Sequence, residues 1–296
     1  MMVIELKQPL KAYISLILYL TLLPIFALAA PAVHMAKPED SIAATAETVQ
    51  DVSYKDTLAH ASTPLLNNMS NRIDNIVLAC TMINETVLMP GDAFSFNQVV
   101  GNRTEARGFK PAPSFVDGRV ENSMGGGICQ VSSTLYYACL LSNLEIVSRT
   151  SHSMCPDYLE KPGLDAAISW GAIDYRFINN TNSPIKIFAW VEDKRVNVKI
   201  MGTKMDNNTV AIESRILSTT PPETIFRDNP GLAPGQTKVI QPSFTGYVAE
   251  TYRVVMDENG VELSRRLEAK NTYQKLDKII ERGPQVKPDT PPSTLS

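Results

Sequence analysis

Between positions 71 and 84, apolar residues recur at Ile73, Ile76, Val77 and Cys80. This i, i+3, i+4, i+7 spacing predicts an α-helix with one buried face, and Asn68 or Ser70 stands ready to cap it. A second helix is expected behind Ser132-Ser133-Thr134, carrying Leu135, Tyr136, Ala138, Cys139, Leu140 and Leu141 and ending near Ser142-Asn143. Cys80 and Cys139 fall on the apolar stripes and read as small core residues. Pro90-Gly91-Asp92 is a turn signature ahead of a short alternating strand, Ala93-Phe94-Ser95-Phe96, and Gly101 to Gly127 reads as loop. From Ala166 the period shortens to two. Ile173/Tyr175/Phe177, Ile185/Ile187/Phe188/Trp190 and Val196/Val198/Ile200 are separated by polar turns, which predicts an antiparallel meander. Polar residues from Lys204 to Thr209 interrupt this texture, and a glycine-punctuated set of strands runs on to Gly283. The expected fold class is α+β, with two main helices and an antiparallel β meander followed by a small β-rich module.

The two ends of the chain have a different texture. Lys7 and Lys11 precede an uncharged run from Ala12 to Ala30 that closes on Ala27-Leu28-Ala29. A charged start, an apolar middle and a small-residue exit identify residues 1–30 as a signal peptide or a signal anchor. Residues 31–50 read as a linker, and 284–296, with four prolines, as a disordered tail. The protein is therefore expected outside the cytoplasm, touching membrane only through its N-terminal apolar segment.

A net charge of −3 offers no basic footprint, so nucleic acid is not an expected partner. The cysteines Cys80, Cys129, Cys139 and Cys155 permit disulfides in an exported chain, but their irregular spacing supports no framework. Of three histidines, His34 and His60 lie near the leader and only His152 lies within the expected fold. Neither a metal site nor a cofactor is expected from ligands so scattered.

The strongest chemical signal is Gly125-Gly126-Gly127-Ile128-Cys129-Gln130. Three glycines let the main chain approach itself or a ligand without Cβ obstruction. Cys129 is placed just ahead of a helix start near Ser132, where the N-terminal dipole favours thiolate over thiol. The N–H groups there, with the Ser132 and Ser133 hydroxyls, are candidate oxyanion partners. His152 is the candidate base, with Asp165 or Asp174 to orient it and Asp157 a weaker choice. Cys155 competes as a thiol but lacks the glycine approach. The plainer reading makes the glycines a tight loop, Cys129 a buried thiol and His152 a residue satisfied by backbone.

Asn71-Arg72, Asn75-Ile76, Pro90-Gly91, Phe94 to Asn97, Val100-Gly101, Arg107-Gly108-Phe109, the Gly125–Gln130 core with Ser132 to Tyr136, His152-Ser153, Tyr158, Gly163, Asp165-Ala166 and Asp174 together resemble the VanW family. The resemblance spans residues 51–205. The region 212–283, with Tyr252-Arg253-Val254, Gly260, Asp228, Leu232 and Gly235, is similar to G5 domains. The family takes its name from accessory genes of vancomycin-resistance clusters. The resemblance implies a cell-envelope protein acting on peptidoglycan, with stem peptides and glycan strands as partners. It further implies a cysteine-dependent L,D-transpeptidase with Cys129 as nucleophile and His152 as base, its substrate lined by Gly125, Gly126, Gly127, Gln130, Ser132 and Ser133. A non-catalytic wall-binding protein, or a cysteine peptidase or carboxypeptidase on stem peptides, remains the alternative.

Overall fold

The computed structural model describes residues 54–116 and 119–285 of the 296-residue chain. The expected leader and linker lie outside the described residues, as does the tail beyond Gln285. In chain order the first region contains β1 (Asp56–Pro64), α1 (Ser70–Ile83), β2 (Val87–Leu88), β3 (Ala93–Ser95), α2 (Phe96–Val100), β4 (Pro111–Val116), β5 (Arg119–Met124), α3 (Cys129–Leu141), β6 (Glu145–Ser148), β7 (Arg176–Ile178), β8 (Ile185–Glu192) and β9 (Arg195–Gly202). The second contains β10 (Thr209–Thr220), β11 (Thr224–Asp228), β12 (Thr237–Gln241), β13 (Gly246–Met256), β14 (Glu262–Tyr273) and β15 (Lys278–Arg282).

The fold is α+β. A four-stranded sheet in the order β1-β9-β8-β2 forms one wall of the core, and α1 and α3 pack on it. Ile185, Ile187 and Ala189 of β8 and Val196, Val198 and Ile200 of β9 are buried, as the period-two pattern requires of a sheet with one covered face. β8 and β9 pair antiparallel from Lys186↔Met201 to Glu192↔Arg195. The first run of the expected meander takes a different place: β7 pairs with β3 and β6 in a neighbouring antiparallel sheet.

Helix α1 forms over nearly the predicted span, but its buried face is turned toward Ile76, Ala79, Cys80 and Ile83, leaving Val77 exposed. Asn75 causes the difference. This polar residue faces inward because its amide donates to the Lys110 and Gly126 carbonyls and accepts from Lys110 N. The N-cap position is Met69, without a side-chain cap, rather than Asn68 or Ser70. The stretch expected as loop holds the hairpin β4-β5, whose strand character is concealed by Pro111 and Pro113.

Helix α3 is buried on nearly every side, including Ser132, Ser133 and Thr134. A hydroxyl taken from water without a partner costs about 1–3 kcal/mol. Each of these three avoids that cost by bonding to a carbonyl, Ser133 to Cys129 at 2.7 Å and Thr134 to Gln130 at 2.7 Å, while Ser132 reaches Ala166 at 2.7 Å.

The second region holds two three-stranded sheets, β10-β13-β14 and β11-β15-β12, and only β11 with β15 runs parallel. It is tied to the first region by polar contacts: Ser214 to the Pro162 carbonyl, Arg253 to Asn143 and Leu144, Gln274 N to the Ser153 carbonyl, and Tyr273 to Asp165.

Candidate functional site

The site is built on the turn that feeds α3. Gly125 and Gly127 adopt φ of +79° and +103°, a region favouring glycine. Gly126 is required for a different reason: a Cβ there would lie 2.2 Å from the Ala112 carbonyl oxygen. The loop thus lies flat against β4 and delivers Cys129 as the first residue of α3. The helix begins at Cys129, not near Ser132, because Gln130 N and Val131 N already close turns onto the Gly127 and Ile128 carbonyls. Those N–H groups, with Ser132 N, are consequently engaged within the turn and do not stand open as an oxyanion cradle.

Cys129 is half-buried, donates to the Ile168 carbonyl at 3.6 Å, and hydrogen-bonds His152. The imidazole is turned so that Nδ1 meets Asp165 Oδ2 at 2.7 Å, which leaves Nε2 for the thiol. The backbone N–H of His152 donates to the same carboxylate oxygen at 2.6 Å. Cys129, His152 and Asp165 therefore stand in line.

The electrostatics of the line favour an ion pair. Burial alone would raise the Cys129 thiol, but the hydrogen bond and charge of His152 and the charge of Arg103 outweigh it and lower its pKa. Burial alone would likewise neutralise His152, yet Asp165 and Cys129 raise it to about 10. Asp165 is fully buried and is nonetheless lowered to about 2, because its neighbours donate hydrogen bonds or carry positive charge. Cys129 and His152 titrate as a pair, the imidazole drawing the thiol down and the thiol raising the imidazole. Cys80, Cys139 and Cys155 are all pushed up to about 12 by burial. All four cysteines are free thiols.

Sequence reasoning missed the groups behind Asp165. Arg149 Nη2 donates to its Oδ1 at 2.6 Å, Arg149 Nε donates to its main-chain carbonyl at 2.6 Å, and Tyr273 donates its hydroxyl to Oδ1 at 2.5 Å. Asn271 accepts from Arg149 in turn. Tyr273 and Asn271 lie on β14, more than a hundred positions away, and no local pattern connects them to His152.

The structure separates the remaining expected residues by role. Asp174 does not orient the imidazole: its oxygens are held by Ser95 Oγ at 2.6 Å and Asn97 N at 2.9 Å, at the start of α2. Asp157 is exposed. The Gln130 side chain is fully buried, accepting from Arg72 and donating to Thr63 and the Pro64 carbonyl, so it braces α3 against β1 instead of reaching outward. The Ser132 and Ser133 hydroxyls are also turned inward, and Ser133 additionally receives Ala166 N. His60, expected near the leader, is in β1, stacked on Trp190.

An α+β domain with a buried carboxylate, an imidazole and a helix-start cysteine, backed by a β-rich module, is the class of protein that fold and site define. The chain carries a VanW-like domain, matching the family described as VanW like protein over residues 71–201, followed by a G5 domain over residues 213–285. It is 48% identical over 140 residues to the uncharacterized protein YoaR of Bacillus subtilis (strain 168), covering 45% of this chain and 46% of that one. It is 29% identical over 138 residues to the vancomycin B-type resistance protein VanW of Enterococcus faecalis (strain ATCC 700802 / V583), covering 45% and 50%. The chain thus spans about half the length of the curated relatives it matches. Among solved structures, HP0197-G5 matches at 17% identity and TM-score 0.16, covering 26% of this chain and 97% of that one. The IgA1 protease G5 domain matches at 21% identity and TM-score 0.18, covering 28% and 100%. A VanW-like domain beside a G5 domain points to a cell-wall-associated protein.

Proposed function

We propose that the VanW-like domain is a cysteine-dependent L,D-transpeptidase that joins peptidoglycan stem peptides. The observation supporting this most directly is the line Asp165–His152–Cys129 with its thiol lowered and its imidazole raised. In the reaction, Cys129 Sγ attacks a stem-peptide carbonyl and a C–S bond forms. The tetrahedral intermediate collapses with cleavage of the C–N bond, and His152 gives its proton to the departing amine of the terminal D-amino acid. An amine of a second stem then attacks the thioester, His152 takes up the proton, and the thiolate leaves. Asp165 holds the imidazole in one tautomer and stabilises its charge throughout. The protein works outside the cytoplasm, with residues 51–205 as the reacting domain and residues 212–283 as a module that holds glycan.

Incubation of the purified protein with a disaccharide tetrapeptide, followed by mass spectrometry, tests the reading. Dimeric stems and a Cys129-linked acyl adduct are expected. Tripeptide without dimer would make the protein a carboxypeptidase. Retention of peptidoglycan by Cys129→Ala, with no adduct ever detected on the unmutated protein, would make it a wall-binding protein.

A further inference from the structure

Two arginines flank the glycine loop, and beyond the charge Arg103 presents to Cys129 and the Arg72 bond to Gln130, neither has a part in the reaction above. Arg103 is only 9% exposed, yet its Nη1 and Nη2 are buried without a hydrogen-bond partner, and Arg72 Nη1 is in the same condition. A buried guanidinium with idle donors is costly, and native structures rarely leave one without a purpose.

We propose that Arg103, assisted by Arg72, forms a carboxylate subsite beside Cys129 that takes the free α-carboxylate of the residue leaving the acyl donor. The assignment deepens the transpeptidase reading and, for the leaving group, rests on it.

Placement is the first argument. A Cβ on Gly125 would fall 2.9 Å from Arg103 Cγ, and one on Gly127 would fall 2.7 Å from Arg72 Cγ. The two glycines that lead into Cys129 are therefore what lets the two stems close on the loop. The Arg103 guanidinium lies 6.0 Å from the Phe96 ring centroid and 5.9 Å from that of Trp170. Trp170 is half exposed and stands two residues beyond Ile168, whose carbonyl receives the Cys129 thiol. Arg103 is thus held from its Cγ to its guanidinium, between buried Phe96 and half-exposed Trp170.

Charge is the second argument. Asp174 acts on Arg103, but its oxygens already bind Ser95 and Asn97, while Arg107 opposes it. Arg72 spends Nη2 on Gln130. A carboxylate fits the idle guanidinium donors of Arg103 through paired N–H···O bonds. In a peptide cut before its last residue, the α-carboxylate lies one residue from the attacked carbonyl. Its receptor must then sit beside the nucleophile, which is where the glycine loop puts these arginines.

The test uses a synthetic stem tetrapeptide as free acid and as C-terminal amide, titrated calorimetrically into Cys129→Ala. The acid should bind about tenfold more tightly or better, as charge-assisted hydrogen bonds imply, and Arg103→Gln in that background should erase the difference. Equal affinity of acid and amide overturns the proposal. So does an Arg103→Gln protein that keeps the preference and changes only the pH profile of Cys129 alkylation, because Arg103 would then serve the thiolate alone. If Arg103→Gln does not fold, the acid and amide comparison on Cys129→Ala still decides, and Arg103→Lys tests the fork geometry. Acid preference without any acyl adduct on the unmutated protein would remove the transpeptidase reading and leave the subsite standing.

Discussion

The hydroxyl of Tyr273 donates to Asp165 Oδ1 at 2.5 Å, and Gly163 N donates to the same hydroxyl at 2.9 Å. Tyr273 belongs to the G5 domain and Asp165 to the VanW-like domain, so a residue of one domain holds the carboxylate that orients the imidazole of the other. Tyr273 is a positioning residue, since it reaches His152 only through Asp165.

Tyr273→Phe should accordingly lower stability by about 1–3 kcal/mol, the range for losing a hydrogen bond to a buried charge. It should also weaken Asp165 as a partner of His152 and shift the acid limb of Cys129 alkylation. Urea denaturation and alkylation against pH measure the two effects. A change in stability with an unmoved pH profile would make the contact purely structural.

Cys129 should react with iodoacetamide faster than Cys80, Cys139 or Cys155 in the native protein. Cys155 is the informative comparison, because it too is only partly buried yet is held as thiol. His152→Ala removes the hydrogen bond and charge that oppose burial, so the Cys129 pKa should rise and alkylation near neutral pH should slow. Peptide mapping of the alkylated protein reads both.

Asp165→Asn should destabilise the protein by about 3–5 kcal/mol near neutral pH, because Arg149, 7% exposed, loses its buried ionic partner. The Asp165 carboxylate is depressed in the fold, so its contribution is present above the ordinary carboxylate value and is lost as pH falls toward about 2. The gap between the two proteins should therefore narrow in acid. Denaturation curves at neutral pH and near pH 3 would show it, and a gap independent of pH would contradict the linkage.

Gly126→Ala should displace the loop, since the added carbon meets the Ala112 carbonyl at 2.2 Å and main chain cannot give way cheaply. A lower Tm and loss of selective Cys129 alkylation are expected together. Retention of both would mean that β4 moves aside without consequence.

Limited proteolysis should cut first near residues 204–208, which are irregular and largely exposed. The fragments should remain together on gel filtration, because Arg253, Ser214, Gln274 and Tyr273 bridge them. Their separation would show that these contacts are too weak to join the domains.

The periodic elements were legible because burial on one face imposes its spacing directly on the chain. Helix α1, the core of α3, the strand at Ala93 and the β8-β9 hairpin were readable in this way. The β4-β5 hairpin was not, since prolines conceal a strand whose partner decides its form. The rotated face of α1 escaped for a similar reason: Asn75 is inward only because Lys110 and Gly126 supply its partners.

What the sequence determined by itself was the glycine loop, the cysteine at a helix entry, the one nearby histidine and the α+β texture, all properties carried by neighbouring residues. It named three aspartates for the imidazole, ranked Asp157 below the others, and could not choose between Asp165 and Asp174. Tertiary structure chose Asp165, turned Gln130, Ser132 and Ser133 into the core, and brought Arg149, Tyr273, Arg72 and Arg103 to the site. Orientation of a buried carboxylate depends on partners remote along the chain, and only the closed fold sets those distances.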